Sequence, residues 1–405
     1  MQGYVRPLRR PIRRSLGALS GLLALGCQSP GSGTADWSSR DSAGVSVVSN
    51  HPRSLSKGCA TLSSTSQQAF RGADGRNGAA PALIDVRGGV VLNDNRVVIL
   101  DAGGRQLLFY SADGQFERVV GRPGRGPGEF VQPTWLGRGG RDTLFVWDGS
   151  QSRLSVFDPM GTLLLSNPVD GPLGPPAIAG QFADGSFLSV PGSMAFFPPG
   201  QEVVRLSEAY GRFDLSSGRT TPVAEGRSEE SAVGAHGRYS VPFGKEDMAV
   251  VSGDALVVGD TEYPAVRYYD LGGRLRRVVA WVSEPIPVTA QDQLADASYT
   301  AAEFPRFAPP PDAVAADFRP RFSSLVVDRV GWLWVRRFAG GWEPPASWLL
   351  IDPQGVLRCE VAAPARLRVL EIGDTYLLGL ERDEAGEEKL VRFSLARASL
   401  KPPPP

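Results

Sequence analysis

GRPGRGPGEFVQPTWLGRGGRDTLFVWDGSQSRLSVFDPMGTLL, residues 121–164, holds a glycine- and proline-rich loop followed by two short apolar runs with a polar turn between them. The loop, Gly121–Phe130, has two readings: a cradle for a phosphate, or a corner in the chain. A phosphate loop needs a following Lys-Ser/Thr and a helix whose N-terminus faces the anion. Glu129-Phe130-Val131 supplies an acid and then a strand-forming residue, so the corner is the better reading. After it, Leu144–Asp148 and Arg153–Phe157 read as β-strands. Asp158-Pro159-Met160-Gly161 supplies a side-chain acceptor first and a residue free to adopt positive φ last, as a tight hairpin requires.

The same pattern returns along the chain. Clear copies start at Arg96, Asp142, Asp254 and Gly331, and two divergent ones span Gly185–Ala224 and Leu367–Ala398, which makes six. The turn glycines Gly114, Gly161, Gly218 and Gly273 are 47, 57 and 55 residues apart, and Gly355 follows after 82. The wide gap holds a proline-rich insertion, Glu284–Pro320, in which Thr289 and Asp292 suit the N-cap and third position of a short helix. With 48 Gly and 34 Pro in 405 residues and 42% hydrophobic content, many short strands fit better than helices. A period near 50 with about four strands per unit is the pattern of a β-propeller. The expected fold is all-β, a six-bladed propeller spanning residues 45–400, with one short helix in the inter-blade insertion.

Residues 121–164 resemble an NHL repeat, and the whole chain is similar to bacterial six-bladed β-propeller lipoproteins with NHL-type repeats (NHL/TolB-like). RDSAGVSVVSN (Arg40–Asn50) and LEIGDTYLLGLERDE (Leu370–Glu384) resemble the ends of such proteins. The resemblance implies that Gly121–Phe130 links the outermost strand of one blade to the innermost of the next, with Phe130 plugged between blades. It also implies a fold far more than an activity. The last copy runs short, so Val45–Ser49, with Ala60–Ser63 beside it, is expected to supply the outer strand of the last blade and close the ring.

The N-terminus gives an address. Residues 1–26 hold five arginines and no acid before the apolar run Leu16–Gly26, too short to span about 30 Å of hydrocarbon, and read as a signal peptide. Leu23-Ala24-Leu25-Gly26-Cys27 resembles a lipobox, with Cys27 as the lipidation site. Residues 27–44 then read as a lipidated tether, and 401–405 as a proline-rich tail. This implies a lipid-anchored protein of the bacterial cell envelope, on the outer membrane or in the periplasm. Without residues 1–26 the chain holds 38 basic against 43 acidic residues, a net charge of −5, which argues against nucleic-acid binding.

Material for catalysis is sparse. His51 and His236 are the two histidines and lack metal-ligand spacing, and no G-x-S-x-G is present. Asp101, Asp148 and Asp260 close their second strands at matching positions. They could ring a metal, but an aspartate there in an NHL-type repeat more often bonds backbone of the next turn. Trp342, among Gly340-Gly341 and Glu343-Pro344-Pro345, is the candidate ligand-binding residue. Cys59 and Cys359 are a candidate disulfide in an oxidising compartment. The function expected is a monomeric, membrane-anchored, non-catalytic module without a cofactor that binds an envelope protein, peptide or glycan. The alternative is a metal-dependent lactonase- or lyase-like enzyme with its site in the central channel.

Overall fold

A computed structural model of the chain describes residues 36–52, 55, 58–63, 68–70, 81–169, 177–191, 203–234, 237–303, 308–310, 313–340, 347–364, 367–382 and 388–398. From residue 36 onward the chain forms one compact unit. Its strands make six antiparallel blades, each a meander in which consecutive strands pair. The first blade is Val86–Val91, Val97–Asp101, Gln106–Tyr110 and Phe116–Val120, and the second is Pro133–Arg138, Leu144–Asp148, Arg153–Phe157 and Leu163–Pro168. The third is Ala177–Gln181, Phe187–Val190, Ser207–Asp214 and Arg219–Arg227, and the fourth Asp247–Ser252, Ala255–Asp260, Ala265–Tyr269 and Leu275–Trp281. The fifth is Phe322–Val327, Leu333–Arg337, Ser347–Ile351 and Leu357–Ala362, and the sixth starts with Leu367–Ile372, Tyr376–Arg382 and Glu388–Arg397. Each inner strand touches the inner strands of both neighbouring blades, the sixth touching the first, so the ring is closed.

No single core exists. Six apolar clusters lie one at each blade-to-blade interface. The pattern follows from strand geometry, in which successive side chains point to opposite faces. In Val97-Val98-Ile99-Leu100, Val97 and Ile99 pack on the sixth blade, while Val98 and Leu100 pack on the second. A strand flanked on both faces reads as a continuous apolar run, which explains the weak alternation in the sequence.

The loop Gly121–Phe130 is a corner between blades. Phe130 is 1% exposed and packs in the interface of the first and second blades, its ring centroid 6.2 Å from that of Phe157. A Cβ on Gly121, at φ 85°, would collide with the Phe130 ring. The loop fills its own anion cradle: the Glu129 carboxylate accepts the Gly126 N–H and the Arg122 guanidinium, each at 2.8 Å. These bonds, the backbone N–H first, hold Glu129 below the usual carboxylate range.

The aspartate-led turns are built alike. Asp158 Oδ1 accepts the N–H groups of Met160 and Thr162 at 2.9 and 2.8 Å, and Asp352 Oδ1 does the same for Gln354 and Val356 at 3.0 and 2.9 Å. Helix α1, Ala290–Glu303, lies in the insertion and is the one α-helix among the described residues. It opens on a reciprocal cap: Asp292 N–H donates to Thr289 Oγ1 at 3.1 Å, and Thr289 N–H to Asp292 Oδ2 at 2.9 Å.

Two expectations at the N-terminus are corrected. Val45–Asn50 does not close the last blade. It runs parallel to Leu275–Trp281 on the outside of the fourth. Two groups hold it there: Val48, 2% exposed, sits in the interface of the fourth and fifth blades, and the Asn50 side chain donates to Gly355 O at 3.1 Å while accepting Leu357 N–H at 2.8 Å. The place on the last blade is filled by Ala60–Leu62 and Gln68–Ala69, both antiparallel to Glu388–Arg397. Nor is 27–44 a tether throughout, because Trp37–Ser42 is a strand paired with Val45–Asn50. The turn between them is fixed by the Asp41 carboxylate on Gly44 N–H at 3.0 Å and by positive φ at Ala43 and Gly44.

A disulfide joins Cys59, beside the closing strand, to Cys359 in the outer strand of the fifth blade, with Cα atoms 5.9 Å apart. Replacing both cysteines by serine is expected to lower unfolding free energy by about 2–4 kcal/mol, because the bridge restricts the unfolded chain. Phe130→Ala is expected to cost about 3–5 kcal/mol, since the plug leaves a cavity. Urea unfolding followed by tryptophan fluorescence checks both.

Candidate functional site

The face on which inner strands begin and second strands end, called the upper face here, carries the long connections. Asp101 and Asp148 lie on it at equivalent positions with equivalent tasks. Asp101 accepts the N–H groups of Ile84 and Asp85 at 3.2 Å, and Asp148 those of Val131 and Gln132 at 2.6 and 3.2 Å. Each carboxylate therefore ties its own second strand to the backbone ahead of its own inner strand. Asp260 departs from this pattern. In the fourth blade the neighbouring Thr261 hydroxyl accepts Glu246 N–H at 3.0 Å, leaving the Asp260 carboxylate to take two guanidinium groups.

Those groups form a buried ion cluster between the third and fourth blades. Arg205 precedes the third strand of the third blade, and its side chain is 9% exposed. It donates to Asp247 at 3.0 Å, the first residue of the fourth inner strand, and to Asp260 at 3.2 Å. Arg227, ending the outer strand of the third blade, reaches Asp260 as well, and its backbone N–H donates to Asp247 Oδ2 at 3.0 Å. Burial and the charge of Asp260 push the Asp247 carboxyl up, against the pull of Arg205. With both carboxylates held by guanidinium groups, the cluster acts as a clamp between blades.

Lys245, two residues before Asp247, supports the insertion. Lys245 Nζ donates to Phe243 O at 2.7 Å and to Phe318 O, and burial holds its pKa below the ordinary lysine value. Sequence reasoning singled out Asp260 but missed Arg205 and Arg227, which belong to a divergent copy. The available signal was Thr261 standing next to the repeated aspartate.

A cleft of about 470 Å³ opens on the upper face where the inner strands of the first and second blades begin. Arg87, Arg105, Gln132, Thr134 and Ser150 line it, with Asp85 bound to Arg87 at 2.9 Å and Ser150 Oγ donating to Gln132 at 2.7 Å. Arg105, exposed and at φ 56°, has no ion pair among the described residues. This arrangement can bind a polar or acidic group, and it offers no nucleophile paired with a base.

Of the other residues chosen from sequence, Cys27, His236 and Trp342 lie outside the described residues. His51 is exposed on the fourth-blade hairpin. Trp334 and Trp348 are buried between the fifth and sixth blades. Among the described residues no three His, Cys, Asp or Glu side chains come together as a metal site.

Residues 82–161, the first blade and much of the second, match the family model DUF5128, described as a 6-bladed beta-propeller. The chain is a six-bladed β-propeller. Solved structures similar to this propeller include a protein from Bacteroides fragilis described as exported, at 12% identity and TM-score 0.49, covering 87% of this chain and 99% of that one. A member of the DUF4221 family from Bacteroides vulgatus is 11% identical with TM-score 0.48, over 85% and 100% of the two chains. Virginiamycin B lyase from Staphylococcus aureus is 10% identical with TM-score 0.40, over 84% and 100%. None of the three carries an argument about the activity of this propeller. No curated protein matches it.

Arg205→Met is expected to cost the propeller about 3 kcal/mol at neutral pH, because buried Asp247 loses its closest guanidinium while Asp260 keeps only that of Arg227. Asp247 adds a pH signature. Its folded pKa lies above the unfolded value of about 3.9, so the folded chain holds that proton more tightly. Its contribution to stability is therefore fully present below the unfolded pKa and falls as pH rises through the raised folded one. Asp247→Asn should flatten that part of the stability curve, measured by urea unfolding across acid pH.

Proposed function

We propose that this propeller is a non-catalytic binding module of the bacterial envelope, lipid-anchored through Cys27, that acts as a monomer and holds an acidic group of a protein, peptide or glycan. The observation that carries the reading is the upper-face cleft between the first and second blades. There Arg105 is free of an ion pair among the described residues, beside Arg87, Thr134 and Gln132. A guanidinium recognises a carboxylate or sulfate through two parallel hydrogen bonds, while hydroxyl and amide groups read the neighbouring polar atoms. Loops of a rigid scaffold are where such sites are commonly built.

The test uses a glycan array and an acidic-peptide library probed with the wild-type chain and with Arg105→Ala. Binding that falls at least about tenfold in the variant, equivalent to about 1.4 kcal/mol, with an unchanged unfolding midpoint supports the reading. Equal binding by both chains, or turnover in a lactone and ester hydrolysis screen, overturns it.

A further inference from the structure

The fourth blade is unlike the others in what surrounds it. The described chain begins at its outer edge: Trp37 pairs with Asn50, and Asn50 with Trp281. The residue after Trp281 is Val282, 54% exposed, and it opens an insertion whose apolar groups face outward. Ile286 is 54% exposed, Leu294 on α1 71%, Phe318 45% and the neighbouring Tyr263 43%.

Hydrogen bonds tie together the segments that carry these residues. The Arg321 guanidinium donates to Glu262 O and Ser283 O at 3.3 and 3.2 Å, and Arg321 N–H to Thr261 O at 2.7 Å. Arg319 N–H donates to Ile286 O at 2.9 Å, Phe318 bridges Pro287, and the Arg319 guanidinium holds Asp292 of α1 at 2.6 Å. Several large apolar side chains exposed together, rimmed by polar groups, mark a contact surface.

The start of the described chain says what that surface meets. Trp37–Ser42 is fixed in the sheet, so only the nine residues from Gln28 to Asp36 separate the anchor from the folded body. Nine residues reach at most about 30 Å. They leave the body at the end of the fourth blade where Trp281 and Val282 lie.

We infer that the apolar surface formed by Tyr263, Val282, Ile286, Leu294 and Phe318 rests on the lipid bilayer to which Cys27 is anchored, orienting the propeller with its fourth blade toward the membrane. This rests on the lipid anchor proposed above. Arg319 and Arg321 are engaged in the bonds above while Glu262, Glu284, Asp296 and Asp317 stand on the same segments, so the contact is apolar and gains nothing from anionic lipid.

The experiment holds the chain from residue 28 by an N-terminal hexahistidine tag on vesicles of phosphatidylcholine and nickel-chelating lipid, so attachment does not depend on acylation of Cys27. A polarity-sensitive dye is placed at Leu294→Cys or, on the opposite face, at the exposed Met160→Cys; Cys59 and Cys359 are bridged and leave the new thiol as the one to label. A blue shift and at least about twofold quenching by nitroxide lipid at position 294, absent at 160 and unchanged by added phosphatidylglycerol or salt, is the expected result. Equal signals at both positions, or a dye at 294 that lipid does not quench, overturns the inference. The anchor is tested apart from it: a Cys27→Ser chain that stays in the membrane fraction of cells overturns the anchor and leaves the vesicle result standing.

Discussion

Each sheet of this protein is apolar on both faces, and no four-stranded sheet can hide both faces by itself. Val97 and Ile99 point one way, Val98 and Leu100 the other, and all four are fully buried only because a blade stands on each side. Burying such a side chain contributes about 1.5–3 kcal/mol, so an unpartnered blade would leave several of these increments in water. A row of blades has two ends, and joining them removes both exposed faces together. The cluster that unites Val86, Leu108 and Tyr110 with Leu378 and Leu390 is the seam where the first blade meets the last.

The chain also holds its last blade from a distance, and it does so twice. Ala60–Leu62 pairs with the final strand, and the bridge from Cys59 to Cys359 ties the same segment to the fifth blade. The preceding hairpin braces the fourth blade against the fifth through Val48 and Asn50. Separation of the last blade therefore requires breaking contacts made by residues some 300 positions apart in sequence, so the ring is stabilised by the least local part of its topology.

The six blades, the turns and the helix cap were legible because each rests on a local rule. A glycine at positive φ, an aspartate that accepts the next turn's N–H groups and a Thr289–Asp292 pair all act within a few residues. Partner choice among strands was not legible. Val45–Asn50 and Ala60–Leu62 are both short and β-prone, and what holds the first on the fourth blade is the pair of side-chain bonds from Asn50 to residues some 300 positions away in sequence. The candidate site divides in the same way. Asp101 and Asp148 do what their repeat position implies, whereas Asp260 is released by Thr261 and recruited by Arg205 and Arg227. A repeat aligned by its turns shows where an aspartate stands, and only the neighbours it meets in three dimensions show what it binds.

That divergence in the fourth blade has a consequence for the whole disc. In a ring of six, the blade opposite the fourth is the first, and the polar cleft lies where the first meets the second. The Arg205 clamp, the Lys245 bonds to the insertion and the N-terminal hairpin are all concentrated on the fourth blade and its neighbours. Lys245 ties the insertion to the ring, since it holds Phe318 from the loop that enters the fourth inner strand beside the clamp. Were the insertion loosely hinged, a contact made by Leu294 or Phe318 would leave the disc free to turn. With it fixed, the fourth blade facing the bilayer would carry the cleft to the half of the ring away from lipid, where a ligand arriving from solution meets Arg105 first.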